Sequence, residues 1–334
     1  MSKEGILERL ADGPVLGDGG YLLELEKRGY VQAGPFTPEV VVEHPDALAQ
    51  LHREFLRAGA EVLQTMTFYA SDDKLATVGL EGTVDEINRN AVRIAREVAS
   101  ERDALVAGNL SLTWAYDPAD AGSPDHVRGL FDRQLQDQVS AGPPDLWIGE
   151  TFSFLGEALL FVERARATGL PVMVTMSFES LPATTYEGDA PGEAARKLAD
   201  AGADIVGVNC LNGPSQQLPI AREMVEAVAG AAPVAAQPVA YATSNEEPDF
   251  TAGEAFPFAL TPITLARGEM AAFAEGARDA GIGYIGSCCG AVAEHVRAMA
   301  KVLGKLPEQE REWRSLSGKA MSAYEYHEHT ETEV

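Results

Sequence analysis

The stretch Ala201-Gly202-Ala203-Asp204-Ile205-Val206-Gly207-Val208-Asn209-Cys210 decides the fold. Its Ala-Gly pair closes a helical segment, because glycine takes the left-handed cap without a steric cost. Residues 205–209 then form a short apolar run, the pattern of a strand buried on both faces. Cys210 stands at the C-terminal end of that strand. The same join recurs at Ala58-Gly59, Thr168-Gly169 and Ala280-Gly281. Reading outward in both directions, short apolar runs fall at 15–17, 61–64, 104–108, 146–149, 172–175, 205–209, 234–237 and 284–286. Segments with apolar residues at helical spacing separate them: 45–58, 84–99, 126–139, 155–167, 192–201, 219–228, 266–280 and 291–303. Eight β–α units in one chain predict an α/β fold, a (β/α)8 TIM barrel. An open doubly wound sheet is the rival. It would place G-x-G-x-x-G after the first strand, and Gly17-Asp18-Gly19-Gly20 lacks that spacing.

The 334 residues are 46% apolar and 23% charged, an ordinary globular composition. No stretch approaches the roughly 18 uncharged apolar residues of a membrane helix. The start, Met1-Ser2-Lys3-Glu4-Gly5-Ile6, lacks a secretory leader's basic and apolar pattern. A cytoplasmic protein without a membrane partner is expected. The 26 Lys and Arg face 51 Asp and Glu, a net charge of -25, which disfavours nucleic-acid binding. The domain expectation is one barrel over 1–305 and a partly disordered, acidic C-terminal extension over 306–334.

Cys210, Cys288 and Cys289 are the only cysteines. An odd count argues against a disulfide framework. Cys210 follows the sixth strand, and Gly286-Ser287-Cys288-Cys289-Gly290 follows the eighth. In a barrel both ends lie on the C-terminal face, where active sites are built. Three thiolates select zinc, and the lack of a fourth cysteine leaves one tetrahedral position open, which favours catalysis over structure. Such an electron-rich metal activates water poorly and hosts a further thiolate well. The chemistry suggested is alkyl transfer to a bound thiol. Asp18 and Glu150 are carboxylates at the ends of strands one and four.

Several segments together resemble the homocysteine S-methyltransferase family, closest to its betaine–homocysteine S-methyltransferase branch. They are Gly17-Asp18-Gly19-Gly20, Leu25-Glu26-Lys27-Arg28-Gly29-Tyr30, Gln64-Thr65-Met66-Thr67-Phe68-Tyr69-Ala70-Ser71, Gly207-Val208-Asn209-Cys210, Gln237-Pro238 and Gly286-Ser287-Cys288-Cys289-Gly290. The resemblance spans about residues 8–305 and implies a Zn2+-dependent enzyme. It implies Cys210, Cys288 and Cys289 as metal ligands. Asp18 and Glu150 would hold the homocysteine ammonium, with Thr65 and the backbone near Gly19 on the amino-acid surface. Tyr69 would line the donor site and fill the open metal position when homocysteine is absent.

This chain departs from the branch where a cationic donor would sit among rings. Phe36 stands where the branch has tryptophan, Thr151 where it has tyrosine, and Met66 in the middle of the Gln-Thr-aromatic segment. Phenylalanine is the weaker cation–π partner and threonine is none. Trp114 and Tyr116, after the third strand, are candidates to rebuild the cage. The expected reaction is methyl transfer from a betaine-type onium donor to homocysteine, giving methionine. Glycine betaine, proline betaine, a dimethylsulfonium compound and S-methylmethionine remain open as donors. A sulfonium-specific enzyme and a non-catalytic zinc or onium binder are the alternatives. The branch's long C-terminal arm is not matched, which leaves a homo-oligomer open.

Overall fold

A computed structural model describes residues 3–306 of the chain. The extension expected over 306–334 therefore lies, past its first residue, outside the described residues. The strands are β1 Val15–Leu16, β2 Val62–Gln64, β3 Leu105–Ser111, β4 Leu146–Phe152, β5 Val172–Met176, β6 Ile205–Asn209, β7 Val234–Gln237 and β8 Tyr284–Ile285. The helices are α1 Ile6–Asp12, α2 Leu22–Lys27, α3 Val40–Glu43, α4 Pro45–Ala58, α5 Asp72–Ala76, α6 Val84–Ala99, α7 Ser123–Ser140, α8 Leu155–Arg166, α9 Pro191–Asp200, α10 Pro214–Val228, α11 Arg267–Asp279 and α12 Ala293–Leu303. Every strand pairing is parallel, in the order β1-β8-β7-β6-β5-β4-β3-β2. The seam between β1 and β2 is closed by Glu61 in place of a ladder. Its N–H donates to Leu16 O at 2.9 Å, and its carboxylate accepts Leu16 N–H at 2.9 Å. Thus the TIM barrel expected from the alternation is the fold. No helix among the described residues is long and apolar enough to cross a membrane.

The glycine caps behave as the sequence suggests. Gly59, Gly169, Gly202 and Gly281 all have positive φ, between 79° and 111°. Two strands run further than their apolar stretches. Asn109 and Ser111 extend β3, and Glu150 and Thr151 extend β4, because their polar groups find partners inside the barrel mouth: Asn109 on Glu150, Thr151 on Asn209, and Ser111 on the Tyr69 N–H. Helix α10 begins at Pro214, five residues before the expected start at Pro219. Pro214 occupies the first turn, where no N–H is needed, and the helix continues through Pro219.

Strand side chains alternate between two cores, as the period of two requires. Val62, Leu105, Ala107, Ile148, Met173, Ile205 and Ala235 fill the barrel interior, and Ile6 of α1 packs with them. Leu63, Val106, Val172, Val174, Val206 and Val208 point out against the helices. One inward step above the apolar interior layer, the residues turn polar: Gln64, Asn109, Glu150, Thr175, Asn209 and Gln237, all buried. That layer is the floor of the site.

Candidate active site

The three thiols meet. Their sulfurs lie within 4.8 Å of one another, and Cys210 Sγ is 3.8 Å from Cys289 Sγ. A zinc ion with Zn–S bonds of about 2.3 Å in tetrahedral geometry requires sulfurs about 3.8 Å apart. The donor set and its spacing therefore fit such an ion. They form the only group of three or more candidate ligands among the described residues.

Backbone hydrogen bonds to the end of β7 bring the two cysteine segments together. Cys210 N–H donates to Gln237 O at 2.9 Å, Cys288 N–H donates to Pro238 O at 2.8 Å, and Ala240 N–H donates to Cys289 O at 2.9 Å. Close approach also depends on Gly20, where a Cβ would fall 2.6 Å from Cys288 O. Gly290 adopts φ +81 against the Tyr241 ring. At each cysteine, hydrogen bonding to the other two thiols acts first, lowering or raising the pKa by position. Burial and a neighbouring thiolate then carry all three well above the ordinary thiol range. Thiols so placed ionise together only beside a cation.

Asp18 and Glu150 face the same cavity as the three cysteines. Gly19, Thr65, Met66, Thr151 and Gln237 complete much of its wall. Gln64 ties the two acids together. Its backbone N–H donates to Asp18 Oδ2 at 2.7 Å, and its Nε2 donates to Glu150 Oε1 at 2.6 Å. Asn109 Nδ2 donates to Glu150 Oε1 at 2.8 Å and Asn209 Nδ2 to Oε2 at 3.1 Å. Burial pushes both carboxyls up to about 7, partly offset by these donors, and Asp18 adds to the rise at Glu150. Two buried carboxyls pushed to about 7 in one cavity can take up a cation, whose charge offsets the cost of ionising them.

Tyr21 and His52 stand behind Asp18. The Tyr21 hydroxyl donates to Asp18 Oδ2 at 2.5 Å and lies 2.9 Å from His52 Nδ1. Burial lowers the His52 pKa to about 3, so it is neutral and accepts no second proton at working pH. The Tyr21 hydrogen bond holds the Asp18 pKa down. Ammonium recognition needs the carboxylates ionised, so affinity for an amino acid should rise as pH climbs through about 7. Tyr21→Phe removes a charge-assisted donor, which should move the Asp18 midpoint up by on the order of one pH unit. Titration with methionine, which has no thiol to ionise, isolates this effect. An unshifted profile would show that Tyr21 does not tune Asp18.

The remaining expected site residues divide between two places. Thr151 lines the thiol cavity and also a second cavity beside it, together with Tyr69, Trp114, Tyr116, Phe154 and Tyr186. Tyr69 lies within electrostatic reach of Cys210 and Cys289, and burial pushes its hydroxyl up to about 12. Trp114 is 69% exposed at the rim. Phe36 lines neither cavity. It packs on Phe256, with ring centroids 6.0 Å apart, at the edge of the apolar cluster that carries the cysteines.

Phe36, Tyr69, Trp114, Thr151 and Cys210 all have φ between 50° and 64°. Such angles are costly for non-glycine residues, most of all for β-branched Thr151. Asn209 holds Thr151 in place: it accepts Thr151 N–H at 2.8 Å and donates to Thr151 Oγ1 at 2.8 Å.

Sequence reasoning missed Gln64, Asn109, Asn209, Tyr21 and His52. A signal for the first three exists. Each is the first polar residue on the inward face of its strand.

Comparisons with known proteins show the family and the fold. A family model described as homocysteine S-methyltransferase matches residues 15–303. A betaine–homocysteine S-methyltransferase 1 of Danio rerio is 48% identical over 92% of this chain and 78% of its own length. An S-methylmethionine–homocysteine S-methyltransferase of Pongo abelii is 41% identical over 90% of this chain and 82% of its own length. Among solved structures, the metallated homocysteine methyltransferase MmuM of Escherichia coli superposes with a TM-score of 0.70 at 20% identity. That match covers 88% of this chain and 98% of the other, and it shows a shared fold.

Proposed function

Because this chain belongs to the homocysteine S-methyltransferase family, we propose that its site moves a methyl group from a betaine-type onium donor to the sulfur of homocysteine, forming methionine. The observation that carries this reading is one cavity walled by three converging thiols on one side and two paired carboxylates on the other. An amino acid with a thiol side chain has complementary groups at both ends.

Cys210, Cys288 and Cys289 would hold a zinc ion, which supplies the Lewis acidity that keeps the acceptor sulfur a thiolate. Asp18 and Glu150 orient the acceptor by its ammonium, and Thr65 and Gly19 lie beside them in the wall. Thr151, with the ring wall beyond it, presents the donor. As the new sulfur–carbon bond forms, the donor's carbon–nitrogen or carbon–sulfur bond breaks. Its electron pair stays on the departing amine or sulfide, so no side chain has to move a proton during transfer. The chain's contribution is alignment and exclusion of water. The thiols sit against a cluster of Leu23, Val239, Tyr241, Phe250 and Leu260, which keeps that side apolar. Charges of opposite sign cancel in the transition state, and a water-poor site favours that cancellation.

A sulfonium donor is the second reading. It is supported by Thr151, whose small side chain leaves room for a bulkier group, and by the S-methylmethionine-using relative. The test is a donor panel incubated with homocysteine, with methionine detected as product. Turnover with glycine betaine or a larger betaine supports the first reading, and turnover with sulfonium donors alone supports the second. No methionine from any donor would overturn both.

A further inference from the structure

Lys74, on α5, places its Nζ 4.2 Å from the centroid of the Tyr69 ring and 5.2 Å from that of Trp114. Both rings line the second cavity. The charges around that cation are lopsided. Asp18 and Glu150 line the thiol cavity, and Glu157, Glu179 and Asp249 line its neighbour, while neither wall contains a lysine or arginine. Every charged side chain in those two walls is a carboxylate, so an anionic group entering from that side meets a cation only at the Tyr69–Trp114 wall, among the described residues.

The ammonium there is also unspent. An ammonium has three donors, yet among the described residues Lys74 Nζ makes no hydrogen bond or ion pair. The acids preceding it are both engaged elsewhere. Asp72 pairs with Arg133, and Asp73 accepts from His126 Nε2 at 2.6 Å. Ring faces hold a cation in place without using its N–H donors.

We propose that Lys74 is the donor-recognition residue, binding a carboxylate on the onium compound and so selecting zwitterionic donors over simple onium cations. The charge order matches such a ligand. Thr151 lines both the thiol cavity and the second one, and Lys74 rests on the Tyr69 ring in the wall of the second. A donor whose onium head faces the acceptor sulfur along this ring directs its carboxylate to Lys74. The inference deepens the methyl-transfer reading and rests on it.

The experiment compares two sulfonium donors on the purified, zinc-loaded enzyme: dimethylsulfonioacetate, which has a carboxylate, and trimethylsulfonium, which has none. Wild type, Lys74→Met and Lys74→Arg are measured for kcat/KM, with homocysteine affinity titrated in parallel. Loss of a charge-assisted contact should shift the ratio of the two donors in Lys74→Met by about 10–100-fold toward trimethylsulfonium. The shift should be carried by KM, and Lys74→Arg should restore most of it. Equal losses for both donors would mean that Lys74 merely packs the rings, and an unmoved ratio would mean that it meets no donor. Either result overturns this inference and leaves the methyl-transfer reading intact. If wild-type turnover is confined to glycine betaine, the same ratio is read for glycine betaine against tetramethylammonium; no methionine from any of these donors would overturn both.

Discussion

Cys289→Ala should lose metal and activity together. Wild type should carry about one zinc per chain, and the variant should carry almost none, because two thiols do not make up a tetrahedral site. The kcat/KM for methyl transfer should fall on the order of 10³-fold or more, since the acceptor then binds as an unactivated thiol. The barrel should survive the change. Cys289 lies above the polar layer at the mouth, outside the interior cluster that holds the strands together. Elemental analysis and far-ultraviolet circular dichroism on the same samples separate metal loss from unfolding. Removing the metal from wild type with a chelator, then restoring zinc, should reproduce the loss and its recovery. A folded Cys289→Ala protein with full zinc and full turnover would sink the metal centre as drawn.

Glu150→Ala should give the second largest effect, and chiefly on the acceptor. Glu150 accepts hydrogen bonds from Gln64, Asn109 and Asn209. Those amides keep it ionisable in a buried place, and its ionised form is needed only when an ammonium arrives. Losing that contact should weaken homocysteine by about 1.5–3 kcal/mol, roughly 10- to 150-fold. The KM of the donor should move much less. Asp18→Asn should have a similar effect, and the double change should cost less than the sum, because the two carboxylates share one ammonium. Asp18→Asn should also bring the Glu150 carboxyl down, since the Asp18 charge is one of the causes of its rise. Isothermal titration of homocysteine against the single and double variants gives these values. An unchanged affinity in Glu150→Ala would place the ammonium elsewhere.

The site was legible in unequal parts. The cysteines could be placed because each follows a strand, and a parallel barrel sends every strand end to one face. Asp18 and Glu150 could be placed for the same reason. Their chemistry could not, because it depends on neighbours far away in the chain: Gln64 and Glu150 are 86 positions apart, and Asn209 and Glu150 are 59 apart. His52 looked like an ordinary helical residue, yet α4 carries it to the back of Tyr21. Phe36 was legible only as a changed residue. That it packs on Phe256 and leaves the cavity walls to Tyr69, Trp114 and Thr151 depends on where two loops cross.

Local physics in the sequence by itself determined the barrel and the three-thiol centre. Glycine caps, short two-sided strands and amphipathic helices are each decided within about ten residues, and their eightfold alternation leaves one compact closure. The tertiary structure alone decided what that centre can recognise. The inward parity of six strands gathers Gln64, Asn109, Glu150, Thr175, Asn209 and Gln237 into one buried polar layer. Burial then brings two carboxyls to about 7. Helix α5, which follows β2, sets Lys74 against two rings, with its charge unspent. Burial, parity and charge pairing are properties of distances between residues remote in sequence, so they exist only once the barrel has closed.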